Sequence, residues 1–195
     1  MKILSFLILV LSSLNSFGQI PEFDSNVNMS AENQSFLYKS FYPEYEFILG
    51  YTRESNRYDR KYYSVLTYNG TDWELKKWSF ELSEDAKPKK PRMKSRILKQ
   101  QKALGLLNDL ESKGFFSLNQ DSLNWAQKDM GGGVTRRQSV TDGFSENFEI
   151  ITQTSHRIYS AYEPELKQKF IFSDQRQRFL ECLNRFLTFK KDPDK

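Results

Sequence analysis

The sequence predicts an α+β domain: an antiparallel sheet built from hairpins, about 5–6 strands in all, with two amphipathic helices packed on one face. Three observations carry the prediction. The run YYSVLTY-NG-TDWELKKWSF sets two aromatic and β-branched segments either side of Asn69-Gly70, the strongest short-range hairpin signal. Two stretches, ending near Lys113 and near Lys190, space their apolar residues at helical intervals. Aromatic residues make up 15% of the chain, a content that disordered chains lack and that lets a modest domain fill a core.

Along the chain, MKILSFLILVLSSLNSFGQ comes first. Lys2 is a short basic start, Ile3 to Leu14 an apolar stretch, and Ser16-Phe17-Gly18 a small-x-small cleavage site, the pattern of a secretory signal peptide over residues 1–18. A spanning helix needs ~20 apolar residues, and Ser12, Ser13, Asn15 and Ser16 end this run before that. No cysteine follows to accept a lipid anchor, so the expectation is a secreted or periplasmic chain with no transmembrane segment after cleavage. Residues 19–42, rich in Asn and Ser, read as a flexible or surface-draped leader pinned around Phe36 and Leu37. A single domain over 43–190 and a tail over 191–195 complete the organisation.

Within the domain, Phe47 to Tyr51 reads as a short strand. The Asn69-Gly70 hairpin follows, its turn expected to be type I′ with positive φ at both central residues. Alternation puts Tyr63, Val65 and Thr67 on one face with Lys76, Trp78 and Phe80 as one face of the next strand; neither face is uniformly polar, so both should be partly covered. Glu81 to Ser95 reads as a charged connection, because Pro88 and Pro91 oppose regular structure. Ser95 is expected to cap a helix with Ile97, Leu104, Leu107 and Leu110 on its apolar face, stopped by Lys113-Gly114 with Phe115 in contact behind it. Asn119 to Gly133 reads as loop with one helical turn near Leu123, ending in a flexible Gly131-Gly132-Gly133 break. Strands are expected at Val134–Val140, Phe144–Thr152 and Arg157–Tyr162, the first two joined by a hairpin turn at Thr141-Asp142-Gly143. A last helix starts near Ser173 or Asp174, where Asp174 and Gln177 have capping-box spacing, and carries Phe179, Leu180, Leu183, Phe186 and Leu187 as one stripe.

The residues available for chemistry are few. Cys182 stands alone, so no internal disulfide is possible, and its place in an apolar helical stripe makes it a buried small hydrophobe. His156 is the single histidine, expected exposed in a turn with no nucleophile elbow near it, which removes the base of a Ser-His-Asp or Cys-His system. One His and one Cys make no zinc site, and no D-x-[DN]-x-[DN]-G loop is present for calcium. The three glycines lead into a strand with no Lys-Ser or Lys-Thr after them, unlike a phosphate-binding loop. No catalytic, cofactor-binding or metal-ligating residue is therefore assigned, and no cofactor is expected. Glu146, Glu149, Glu163 and Glu165, on or beside the late strands, keep open a carboxylate-based hydrolase. Three glycosylation sequons begin at Asn28, Asn33 and Asn69 and matter only in a host that glycosylates them.

Charge supplies the remaining signal. The chain has 29 basic and 25 acidic residues, a net +4 that falls to +3 once Lys2 leaves with the leader, too mild to define a polyanion binder by sum. The distribution is less even. Lys87, Lys89, Lys90, Arg92, Lys94 and Arg96, continued by Lys99 and Lys102, crowd one acid-free run. These are the candidate contacts for an anionic partner: an envelope surface, a glycan or an acidic protein. With no reading helix or stacking motif, sequence-specific nucleic acid is not expected. The sequence thus favours a secreted or periplasmic non-catalytic binding module, against a small carboxylate hydrolase or a carrier that encloses an apolar ligand behind its aromatic residues.

Overall fold

A computed structural model describes residues 20–28, 35–55, 60–82 and 88–191. The expected signal peptide lies outside the described residues. In chain order the elements are α1 (Phe36–Phe41), β1 (Phe47–Glu54), β2 (Arg60–Tyr68), β3 (Trp73–Leu82), β4 (Pro88–Leu98), α2 (Gln100–Ser112), a 3₁₀ turn (Phe115–Ser117) and α3 (Gln120–Asn124). Then follow β5 (Gln127–Asp129), β6 (Thr135–Arg137), β7 (Ser145–Thr152), β8 (His156–Tyr162), α4 (Pro164–Phe170) and α5 (Asp174–Lys191). Six strands form one antiparallel sheet in the order β4-β3-β2-β1-β7-β8, and β5 with β6 makes a separate small hairpin. The fold is α+β, as the hairpin and helix periodicities predict.

Alternation along the strands builds two cores. On one face Phe47, Leu49, Leu66, Leu75, Phe148 and Ile150 meet the apolar stripes of α2 and α5, including Leu106, Leu110, Phe179 and Phe186. Phe148 is the hub, its ring within 5.1–5.9 Å of those of Tyr51, Phe115, Phe179 and Phe186. Aromatic rings fill the space between sheet and helices. The opposite face, Ile48, Val65 and Ile151, is covered by Leu37, Tyr38 and Phe41 of α1. The pinned piece of the leader is thus a helix that closes the second face. Gly50 makes this possible, since a Cβ there would overlap Leu37 Cδ1.

Several local expectations are corrected. The β2–β3 connection is a four-residue loop between the Tyr68–Trp73 pair, not a two-residue type I′ turn. Asn69 Oδ1 accepts from the amides of Thr71 and Asp72 (3.0 and 2.7 Å), and positive φ falls on Gly70. The proline-punctuated connection is a strand: β4 is a sheet edge, where a proline that lacks a donor is tolerated, with an irregularity opposite Ser79–Glu81 and Lys90 at φ 49°. Ser95 and Ile97 accordingly lie in β4, and α2 begins at Gln100 with Lys99 as an N-cap that makes no side-chain bond. Its end is as expected: Gly114 takes the left-handed conformation and Phe115 is buried. Gly131-Gly132-Gly133, all at positive φ, form the tight tip of β5–β6 instead of a loose break. The strand expected over Val134–Val140 shrinks to Thr135–Arg137 and pairs with β5, so Thr141-Asp142-Gly143 joins no hairpin. α5 is capped by Ser173, whose Oγ accepts from the Arg176 amide, and not by Asp174.

The two sheet edges differ. Along β8 side-chain amides imitate a further strand. Asn26 bonds both N–H and C=O of Ile158 (2.8 and 2.7 Å), and Gln120 does the same at Ser160 (2.8 and 2.9 Å). That seals the edge against further pairing. β4, at the other edge, is defended by prolines and a row of cations.

Candidate functional site

Register decides how the basic run is displayed. Arg92, Lys94 and Arg96 pair with Ser79, Lys77 and Leu75, so they share the face on which α2 and α5 pack. Met93, Ser95 and Ile97 point to the α1 face. Lys89 and Lys90 sit at the irregular end opposite Glu81, which Lys90 approaches at 3.4 Å. Lys87 lies outside the described residues. The structure therefore divides the six sequence candidates and brings Arg92 and Lys94 into a site.

That site is a groove where the α5 end meets the uncovered part of β2–β4. Its narrow lobe, about 390 Å³, is lined by Lys77, Arg92, Lys94, Lys190 and Lys191 together with Tyr62 and Ser64. Among the described residues no acid lines it. A wider lobe of about 500 Å³ continues over Arg53, Arg60 and Lys61, with Tyr62, Ser64, Lys190 and Lys191 common to both. Its acid, Glu54, is engaged by Lys61 at 3.3 Å. Tyr62 stands at the junction with 61% of its surface exposed, an aromatic face presented to solvent between the lobes.

Beneath the groove the side chains are fixed. Tyr51 donates its hydroxyl proton to Glu146 Oε2 (2.7 Å), and Arg53 Nε holds Oε1 (3.2 Å). Lys190 Nζ lies 4.5 Å from the Tyr51 ring centroid, a cation–π contact. Burial holds the Lys190 ammonium below the usual lysine range, Glu146 pulls the other way, and the cations Lys77 and Lys191 push it lower still. Burial is the main cause, and the smaller push from Lys77 and Lys191 shows that positive charge is crowded there. An arriving anion relieves that crowding.

The carboxylates expected beside the late strands do not make a facing pair at β7. Glu146 and Glu149 are three residues apart on one strand and project from opposite faces. Glu149 accepts from His156 Nε2 (2.7 Å) and from Ser35 Oγ. His156 is buried, not an exposed turn residue: it lies 1% exposed, stacked on Tyr38, and ties β8 to α1. Ser35 and His156 meet the same Glu149 oxygen, so the carboxylate is central and the imidazole is in no position to activate the hydroxyl. Glu163 takes a left-handed backbone (φ 45°) and its Oε1 accepts from the Phe144 amide (2.6 Å). Glu165 is exposed in the first turn of α4. Cys182 is fully buried, and burial pushes its thiol up to about 12.

Comparison of the chain with protein-family models, characterised proteins and solved structures finds no match. Among the described residues no group of three or more His, Cys, Asp or Glu is placed to hold a metal, and no helix is long and apolar enough to cross a membrane.

Sequence reasoning missed Lys77, Lys190 and Lys191 as members of the groove. Lys77 had a signal, since it alternates with Trp73 and Leu75 on one strand face. The two α5 lysines had none, because their meeting with β4 depends on where the helix crosses the sheet.

Proposed function

We propose that this protein is an exported, non-catalytic binding module whose basic groove holds an acidic glycan. One observation carries the reading: cations from three separate elements, Lys77 of β3, Arg92 and Lys94 of β4, and Lys190 and Lys191 of α5, converge on a lobe that no described acid lines. Like charges crowded in this way oppose folding unless a ligand offsets them, and the groove form suits a chain more than a flat surface. Alternate residues of β4 place cations roughly 7 Å apart along the strand, a row that meets several charges of a polymer at once. Tyr62 adds an aromatic face for a sugar ring beside those charges. Export follows from the leader over residues 1–18, and it brings the groove to envelope polysaccharides.

Hydrogen–deuterium exchange with polygalacturonate as the probe tests this reading. The expected footprint is protection over β4 and the last turn of α5, with none over β8 and none from neutral dextran. Protection at β8 instead, or equal protection by dextran, would contradict it.

A further inference from the structure

Around α3, the β5–β6 hairpin and α4, the structure exposes large apolar side chains. Trp125, Met130, Val134 and Phe172 are 55–66% exposed, four of the largest apolar exposures in the described chain. Met130 and Val134 face each other at the tip of the β5–β6 hairpin, and Trp125 opens the segment that leads into it. Arg176 Nη1 and Nη2 donate to the carbonyls of Ile171 (3.1 Å) and Trp125 (2.7 Å), which ties the backbone beside Phe172 to that of Trp125. The β5–β6 hairpin lies against α4, with the Arg136 guanidinium 5.8 Å from the Phe170 ring centroid.

We infer that this patch docks on the surface of an anionic lipid bilayer, with the hairpin tip as the inserted element. Three features favour lipid over a protein partner. First, the Lys128–Arg136 pair shares its hairpin face with Met130 and Val134, so cations sit behind an apolar tip. Protein interface cores are depleted of lysine, whereas cations set behind apolar anchors suit lipid headgroups. Segment 125–137 holds three cations against one acid, and that acid, Asp129, accepts from its own Gly131 amide (2.8 Å). Second, Trp125 has the amphipathic ring that prefers the headgroup level. Third, the tip pairs part of its own backbone: Met130 N–H donates to Val134 C=O (2.9 Å) and Val134 N–H to Gly131 C=O (3.1 Å). Internal pairing lowers the cost of moving backbone out of water. The three tip glycines have nothing within 4 Å of a notional Cβ, so the tip is slim and stands clear of the domain. β4 and β8 are the opposite edges of a six-stranded sheet, roughly 24 Å apart at the usual strand spacing, so Arg92 and Lys94 of the groove lie on the edge far from β8. This inference does not depend on what the groove binds.

Tryptophan emission supplies the test, because Trp73 is buried and Trp125 is the most exposed of the three indoles. The probe is vesicles of equimolar phosphatidylglycerol and phosphatidylcholine, with pure phosphatidylcholine as comparison. The mixed vesicles are expected to blue-shift the emission and sediment the protein, and W125F to remove the shift while it still sediments. The exposed triple variant M130S/V134S/F172S is expected to partition at least ~10-fold more weakly, and K128E/R136E to remove the preference for anionic lipid. The groove variant R92E/K94E should keep the Trp125 shift. Loss of the shift in R92E/K94E, undiminished partition of the triple variant, or no shift in the parent would overturn the inference. So would a vesicle-free dimer that the triple variant abolishes, which would assign the patch to a second copy of the chain.

Discussion

Phe148→Ala removes the residue on which the main core converges. The ring is 0% exposed and has four aromatic neighbours drawn from β1, the 3₁₀ turn and α5. None of those neighbours can collapse into the vacancy without leaving its own packing, so the loss should fall in the upper part of the ~3–5 kcal/mol typical of Phe→Ala. With a urea slope of ~2 kcal/mol/M for a domain of this size, the midpoint should fall by ~2 M. A typical domain stability of ~5–15 kcal/mol makes that a large fraction of the total. Phe172→Ala is the control, since its ring is 66% exposed and its loss should cost within ~0.5 kcal/mol. Urea titration followed by far-UV circular dichroism reads both. Midpoints for the two variants that agree within error would refute the account of the core.

Two further perturbations test other parts of the structure. Arg176 is fully buried and spends its guanidinium on the carbonyls of Leu123, Trp125 and Ile171, with no carboxylate partner among the described residues. Arg176→Lys cannot span three acceptors and should cost ~2 kcal/mol in urea, while a cost near zero would mean that the fork is dispensable. Burial raises the Cys182 thiol and the Tyr159 hydroxyl each to about 12, so both groups favour the fold while neutral. That stability is complete below their unfolded values, ~8.5 and ~10, and is lost as pH rises towards 12. Stability should therefore decline from about pH 9 upward, and a thiol reagent at pH 8 should label Cys182 only in denaturant. Rapid labelling of the native protein would contradict the burial.

Patterns of local origin were legible in the sequence. The α5 stripe of Phe179, Leu183 and Phe186 and the Gly114 stop of α2 are where spacing put them. So is the β2–β3 hairpin. Elements decided by tertiary context were not. β4 carries two prolines and five cations with no acid among them, which reads as a linker until β3 gives it an edge to pair with. α4 opens on Pro164 after a left-handed Glu163, a start that its short sequence does not announce. His156 looked like a turn residue because its burial depends on α1, which returns across the sheet from more than a hundred residues earlier. The groove was half legible: Arg92 and Lys94 lie in the basic run, whereas Lys190 and Lys191 enter only through the packing of α5.

The central claim is that the groove, and not the basic run as a whole, holds an acidic glycan. Titration of polygalacturonate into the parent chain and two charge reversals tests it most directly. K77E/K94E alters two groove cations, and K89E/K90E alters the same number of charges at the Glu81 end of β4. Each reversal changes net charge equally, so a general electrostatic attraction would weaken both alike. The account predicts that K77E/K94E binds at least ~10-fold more weakly while K89E/K90E stays within ~3-fold of the parent, and that parent binding falls steeply as salt shortens the screening length below ~8 Å. Equal losses in the two variants, or binding that is indifferent to salt, would contradict it.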